Sequence, residues 1–253
     1  MRVLVTGGSG TLGGAVVRQA IADGHEVVAT YASRVGDADV SWVRMDIREA
    51  VDFSTVRPDV VVHTAYKQSD WRTTADGAAN VAVAARKAGA RLVHVSSDAV
   101  FSGNAGEPYD EWAVPDPCWP YGAAKAAAET AVRAIDPTAA IVRTSLIIPP
   151  RVTLPPVLFT DDIRCPVDVS DLACALLELA DSTEKGVFHV AGAEALSRYE
   201  LGMLVAKRDG LDPARFSKGP RNVPGPLDVR LDCSYTQSLL KTRLRGASEF
   251  LGW

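Results

Sequence analysis

The chain has few cysteines, little excess charge and no long apolar run, and each shortage excludes a class of protein. Its four cysteines are Cys118, Cys165, Cys174 and Cys233. They are scattered without a C-x-x-C pair, so we expect reduced thiols and no metal site. The formal net charge of −4 gives no basic surface for nucleic acid or an anionic membrane. No apolar stretch is long enough to span a bilayer.

What the chain does have is the composition of an ordinary globular protein. Hydrophobic residues make up 47% and charged residues 23% of the 253 positions, which is typical of a soluble domain. This length predicts one large domain, or one domain with a small lobe. The N-terminus runs directly into an apolar strand without a basic segment and a signal core, so we expect a cytoplasmic protein.

The most informative stretch is a glycine-rich turn at the N-terminus. Residues 1–6 predict a buried strand, and residues 15–22 predict a helix with an apolar face. Between them, Gly7 allows a tight turn, Gly10 lets a diphosphate approach the backbone, and Gly13 lets helix and strand pack closely. The N–H groups at the helix N-terminus attract the same diphosphate. A dinucleotide site is therefore predicted here.

The end of the second strand bears on which dinucleotide binds. An acidic residue at this point favours NAD, but this chain has Ser33 and Arg34, which can bind a 2′-phosphate. We therefore predict NADPH, with NADH less favoured. The alternative is that Arg34 is solvated and that Asp37 or Asp39 binds the ribose. Asp46 is placed to reach the adenine amino group, or else to cap a helix.

Catalytic side chains are predicted beyond the fifth strand. Ser97 lies where that strand ends, at the edge that faces the ligand crevice of a doubly wound sheet. Tyr121 and Lys125 are four residues apart on an alanine-rich helix and share one face. A nearby ammonium favours the phenolate and would lower the tyrosine pKa toward neutral pH. Tyr121 can then exchange a proton with a carbonyl oxygen that Ser97 holds. His63, inside an apolar run, is more simply a core residue.

The alternation of strands and helices predicts a Rossmann-type, doubly wound α/β fold with a parallel sheet. We expect the dinucleotide-binding core in residues 1–145, rejoined by about 165–192. Residues 146–164 and 193–253 would form a small C-terminal substrate-binding lobe. The lobe is rich in arginine, and Arg221, Arg230, Arg243 and Arg245 are candidates for binding a diphosphate. A final helix is expected within residues 239–253.

With these motifs the sequence resembles the extended short-chain dehydrogenase/reductase superfamily, and within it the dTDP-4-dehydrorhamnose reductases. Thr6, Gly7, Gly10 and Gly13 match the pattern T-G-x-x-G-x-x-G. Residues 58–65 look like P-D-V-V-I-N-A-A, residues 96–103 like S-T-D-Y-V-F-D-G, and residues 141–145 like the L-R-T-S strand. The chain departs from the family pattern in the short, proline-rich segment 146–159.

The resemblance implies an NADPH-dependent reductase of a keto group, with a 4-keto-deoxysugar nucleotide as substrate. The implied catalytic residues are Ser97, Tyr121 and Lys125. The implied cofactor contacts are Gly7, Gly10, Thr11, Leu12, Gly13, Ser33, Arg34, Asp46, Ile47, Ala65, Tyr66 and Lys125. The implied substrate contacts are Asp98, Phe101, Tyr121 and Arg221. Two alternatives stay open, namely a nucleotide-sugar epimerase or dehydratase, and a non-catalytic dinucleotide-binding regulatory subunit. A homodimer is common in the superfamily.

Overall fold

Seven parallel strands form the central sheet of the computed structural model, which describes residues 1–252. The strands of the chain are β1 (Arg2–Thr6), β2 (Glu26–Tyr31), β3 (Ser41–Arg44), β4 (Val60–His63), β5 (Arg91–Val95), β6 (Ala140–Thr144), β7 (Ile147–Ile148), β8 (Val157–Phe159), β9 (Ile163–Arg164), β10 (Val167–Asp168), β11 (Gly186–Val190), β12 (Leu196–Ser197) and β13 (Ser217–Gly219). The order in the sheet is β11-β6-β5-β4-β1-β2-β3. The order reverses between β1 and β4, where a doubly wound sheet opens its ligand crevice. The predicted Rossmann-type fold is confirmed.

Helices cover both faces of the sheet and bury its apolar side chains. The helices are α1 (Thr11–Ala22), α2 (Gly77–Ala88), α3 (Pro120–Ile135), α4 (Val169–Asp181), α5 (Arg198–Arg208), α6 (Ser234–Leu239) and α7 (Ala247–Phe250). Helices α1 and α4 pack on one face, and α2 and α3 on the other. Burial on both faces explains why β1 and β4 read as continuous apolar runs in the sequence.

The smaller lobe is built from pairs of short strands and α5. Strand β8 pairs with β13, and β9 pairs with β12. Helix α5 begins with a reciprocal capping box between Ser197 and Glu200. An apolar cluster that includes Leu201, Val205 and Leu251 lies beneath it. The division into core and lobe at the residue numbers given above stays a proposal.

The sequence predicts a final helix and a packed tail in residues 239–253, and within the described part of this range α7 is a short helix. Helix α6 ends where the range begins, at Leu239. Between the two helices the backbone N–H groups of Lys241 and Thr242 donate to the Glu178 carboxylate, and that of Leu244 donates to Gln237. These bonds replace helical ones, so residues 240–246 form no helix. Trp253 lies outside the described residues.

Two further expectations concern the cysteines and the membrane. Among residues 1–252 all four cysteines are free thiols. No helix in this range is both long and apolar enough to cross a bilayer. A homodimer stays a prediction.

Candidate active site

The glycine turn brings β1, the start of α1 and the end of β4 into close contact. Gly7 has a φ of +72°, and a Cβ there would lie 2.8 Å from the Ala65 Cα. A Cβ on Gly13 would lie 2.2 Å from the carbonyl oxygen of Gly7. Any side chain at either position would force these elements apart. No side chain caps the N-terminus of α1 at Gly10, so its first N–H groups are free to bind an anion.

A single cleft of about 1140 Å³ runs from this turn to the predicted catalytic residues. The predicted cofactor residues that line it are Gly7, Gly10, Thr11, Leu12, Gly13, Ser33, Asp46, Ile47, Ala65, Tyr66 and Lys125. The predicted catalytic and substrate residues that line it are Ser97, Asp98, Tyr121, Lys125 and Arg221. Residues from distant parts of the sequence therefore meet in one cleft, although binding by each of them stays a prediction.

Two predicted contacts do not line the cleft. Phe101 is fully buried and stacks on Tyr109 with ring centroids 4.0 Å apart. It also lies beneath the guanidinium of Arg143, so the expectation that it faces the substrate is corrected: it is a core residue. Arg34 is exposed beside Ser33 and does not line the cleft. Its predicted contact with the cofactor stays a prediction.

Ser97 and Tyr121 meet because α3 docks closely on the turn that follows β5. Ser97 begins a short 3-10 turn over Asp98–Val100. A Cβ on Gly122 would lie only 2.0 Å from the carbonyl oxygen of Ala99, so glycine is required where the helix touches this turn. The close approach brings the Tyr121 side chain beside Ser97, and both line the cleft. Proton transfer from Tyr121 to a substrate oxygen requires hydrogen-bond contact between those two atoms.

Lys125 lies behind this pair and is almost completely buried. Its Nζ donates to the carbonyl oxygen of Val95 at 2.9 Å and lies 4.9 Å from the ring centroid of Tyr66. Burial lowers the pKa of Lys125 to about 8. The pKa of Tyr121 is raised, first by burial and then by Tyr66. The expected lowering is thus absent here, because burial outweighs the opposing effects, and Tyr121 is a neutral phenol that can give up a proton.

Asp98 is the buried acid of the site. Its carboxylate accepts hydrogen bonds from Ser97 at 3.1 Å and Ser145 at 2.7 Å, and it lies 3.7 Å from the Arg164 Nε. Burial raises the pKa of Asp98, against the opposing effects of Arg164 and the two serines. Asp98 therefore links the catalytic hydroxyls to a positive charge.

The substrate end of the cleft holds three arginines around Asp162, which we call the arginine cluster. Arg164 lies 2.8 Å and Arg198 lies 3.6 Å from carboxylate oxygens of Asp162, and Arg221 donates to the same carboxylate. All three arginines line the cleft, and Asp162 is only 1% exposed. Three arginines face Asp162, and of them Arg164 also faces Asp98, so three cations meet two close anions and an excess of positive charge remains.

Sequence reasoning found Arg221 but missed Arg164 and Arg198. It also proposed Arg230, Arg243 and Arg245, which pair with acidic side chains elsewhere and do not line the cleft. The only signal for Arg164 was its place after two aspartates in residues 161–164. Arg198 had no such signal, because it lies at the start of α5 beside the capping box.

His63 is a core residue, as its apolar surroundings predict. It is 1% exposed, and its Nδ1 lies 2.6 Å from the Thr6 Oγ1. Its ring stacks on His94 with centroids 5.2 Å apart. Burial lowers the pKa of His63 to about 3, so the ring is neutral at pH 7.

Comparison with known proteins identifies relatives along nearly the whole chain. The family model described as "RmlD substrate binding domain" matches residues 1–149 and 156–250. The break between these matches falls in the proline-rich segment 146–159. The dTDP-4-dehydrorhamnose reductase of Mycobacterium tuberculosis (strain CDC 1551 / Oshkosh) is 32% identical over 246 residues, which cover 85% of this chain and 77% of the relative.

Two other similarities extend the comparison. The methionine adenosyltransferase 2 subunit beta of Pongo abelii is 29% identical over 283 residues, which cover 94% of this chain and 82% of the relative. The crystal structure of a hypothetical dTDP-4-dehydrorhamnose reductase from Sulfolobus tokodaii superposes with a TM-score of 0.83 at 27% identity. The superposition covers 97% of each chain.

Proposed function

Because this chain belongs to the RmlD substrate binding domain family, we propose that it is an NADPH-dependent reductase of a keto group on a nucleotide-linked deoxysugar. The observation that carries the proposal is that Ser97 and Tyr121 lie beside each other in one cleft, with Lys125 buried on the same face of α3 as Tyr121. This trio lies in the same cleft as the glycine turn. The mycobacterial relative's name supports a 4-keto sugar such as dTDP-4-dehydrorhamnose as the substrate.

The residues of the cleft fit a dinucleotide. Gly7 and Gly13 leave space that a Cβ would fill, and the free N–H groups at the start of α1 suit a diphosphate. Ser33 lines the cleft, and the exposed guanidinium of Arg34 has no ion-pair partner within residues 1–252. A change of its side-chain rotamer would let Arg34 bind a 2′-phosphate, which favours NADPH over NADH. When bound, NADPH supplies the hydride for the keto carbon.

Proton transfer to the keto oxygen depends on three side chains of this protein. Tyr121 is a neutral phenol in its buried setting, so it can donate its proton to the keto oxygen. Lys125 holds an ammonium nearby and stabilises the phenolate that results. Ser97 donates a hydrogen bond to the same oxygen and stabilises the charge that develops on it.

The arginine cluster would bind the diphosphate of the nucleotide sugar. Arg198 and Arg221 line the cleft, and guanidinium matches phosphate oxygens in geometry and charge. Asp162 holds these arginines together before the substrate arrives, so less side-chain entropy is lost when it binds. The intact trio of Ser97, Tyr121 and Lys125 supports an enzyme over a regulatory subunit, which does not need it.

The test is NADPH oxidation, followed by absorbance, with a panel of keto-deoxysugars offered with and without a nucleoside diphosphate. We expect turnover only with the nucleotide-linked sugars, and a loss of at least about 100-fold in kcat for Tyr121→Phe. Tyr235→Phe is the matched control, because Tyr235 is exposed outside the cleft. Turnover of Tyr121→Phe within a few-fold of the unaltered enzyme would refute the proposed role.

A further inference from the structure

A chain of alternating charges joins the arginine cluster to the catalytic hydroxyls. Asp162 lies 2.8 Å from Arg164, and Arg164 lies 3.7 Å from Asp98. Asp98 in turn accepts the proton of Ser97 at 3.1 Å. All these residues except Ser97 are buried, so solvent screens their electrostatic interactions only weakly. A charge that arrives at one end is therefore felt at the other.

Arg164 is held in place along this chain. Its guanidinium donates to the carbonyl oxygens of Ile163, Leu227 and Pro226, at 2.7, 2.8 and 2.9 Å. These bonds fix it independently of either aspartate. The link between Asp98 and the cluster therefore depends on the electrostatic potential, and no side chain has to move.

The hydrogen bonds of Ser97 leave no proton for a substrate. Its Oγ accepts from the Ala99 N–H at 3.2 Å and donates to Asp98 at 3.1 Å, and the Tyr121 side chain lies beside it. A hydroxyl has one proton. While that proton points to Asp98, Ser97 can only accept further hydrogen bonds. A keto oxygen is an acceptor too, so Ser97 must redirect its proton before it can bind one.

We propose that Asp98 is a positioning residue that takes up a proton when the substrate's diphosphate binds the arginine cluster, which reverses its hydrogen bond with Ser97. The inference rests on the proposed function. The proton comes from solvent and binds a carboxylate oxygen. Neutral Asp98 then donates to the Ser97 Oγ, and the Ser97 proton turns to the keto oxygen. Asp98 returns its proton to solvent when the product leaves.

The charges around Asp98 favour this response. The titratable, charged and hydroxyl groups that face it are Ser97, Tyr121, Ser145, Arg164, Cys165 and Arg198. Burial raises the pKa of Asp98, and Arg164 is the largest opposing effect. A diphosphate carries negative charge into the field of the same arginines. It cancels part of their effect on Asp98, so the neutral acid becomes more stable.

Isothermal titration calorimetry measures this proton directly. dTDP-glucose is titrated into the enzyme–NADPH complex near pH 7 in Tris and in ACES, whose ionisation enthalpies differ. This ligand has no keto group to reduce, and its diphosphate does not titrate near neutral pH. We expect uptake of about 0.3 to 1 proton per ligand in the unaltered enzyme. Asp98→Asn should abolish the uptake, whereas Asp23→Asn, the same charge change at an exposed site, should retain it.

Two further variants separate positioning from folding. Ser145→Ala removes one donor to Asp98 and so raises the pKa of Asp98 in free and bound enzyme alike, and the pH at which the uptake is largest should move upward. Asp98→Leu should lower kcat at least about tenfold more than Asp98→Asn, because an amide can still donate to Ser97. Equal uptake in the unaltered enzyme and in Asp98→Asn would overturn the inference. Absence of dTDP-glucose binding would instead overturn the diphosphate site of the proposed function.

Discussion

The buried ion pair between Glu129 and Arg143 makes a strong prediction about stability. Glu129→Gln keeps the shape of the side chain but removes the charge that faces Arg143. Arg143 donates two hydrogen bonds to Glu129, at 3.0 and 2.9 Å. The side chain of Glu129 is only 2% exposed and that of Arg143 only 1%. Ser96, next to the catalytic Ser97, donates to the same carboxylate at 2.6 Å.

The size of the effect follows from this burial. Arg143 keeps its charge at any accessible pH, so the variant leaves a cation inside the protein without its anion. Its remaining partners are the carbonyl oxygen of Ala113 at 3.1 Å and the ring of Phe101. Breaking a buried pair in this way costs about 3–5 kcal/mol. For a chain of this size that corresponds to a Tm lower by about 6–20 °C.

Urea unfolding followed by tryptophan fluorescence and circular dichroism measures the change. Glu26→Gln is the matched control, because Glu26 pairs with Arg2 at the surface and exposed pairs contribute less than about 1 kcal/mol. The double variant Glu129→Leu/Arg143→Met should be less destabilised than Glu129→Gln, since it leaves no buried charge. A loss below about 1 kcal/mol in Glu129→Gln, or a greater loss in the double variant, would refute the reasoning.

Two further predictions concern buried bases. Burial lowers the pKa of Lys125 from 10.5 in the unfolded chain to about 8 in the folded protein. The charged ammonium therefore destabilises the folded state below pH 8, and this destabilisation disappears as the pH rises toward 10.5. Lys125→Met should raise the free energy of unfolding at pH 7 by about 3 kcal/mol. The same variant should lower kcat at least about 100-fold. A variant less stable than the unaltered protein would contradict the reasoning. Burial lowers the pKa of His63 and of His189 to about 3. Each histidine should lower the free energy of unfolding by about 2 kcal/mol when pH falls from 7.5 to 5. In urea unfolding, His63→Asn should therefore make the loss of stability between these two pH values smaller by about 2 kcal/mol. An unchanged loss would show that His63 does not contribute to it.

The parts of the fold that the sequence predicts well are those with local, periodic signals. Strands β1 and β4 are apolar runs, and the turn at Gly7 has the spacing that its close contacts require. The start of the final helix has no local signal, because the side chain of Glu178, more than sixty residues away in the chain, binds the backbone of Lys241 and Thr242 and the helix begins only at Ala247. No local pattern in residues 239–252 shows that competition.

The same distinction holds for the site. Tyr121, Lys125 and Ser97 stand in motifs, so their meeting in one cleft could be anticipated. Arg198 comes from the start of a lobe helix and is brought to the cleft only by tertiary packing. Phe101 was misplaced because Ser97, Asp98 and Ala99, just before it in the sequence, line the cleft, while the short turn after Ser97 directs its ring into the core.

Helix α3 shows how stability and chemistry are combined on one element. Tyr121, Lys125 and Glu129 recur every four residues and so share one face of the helix. In an alanine-rich helix such a polar row would ordinarily face solvent, yet Lys125 and Glu129 are both buried. The row faces inward, where Tyr121 lies beside Ser97, Lys125 donates to the carbonyl oxygen of Val95, and Glu129 pairs with Arg143. The Glu129 pair anchors the helix, so the helix can hold Lys125 buried and charged behind Tyr121 despite the cost to stability.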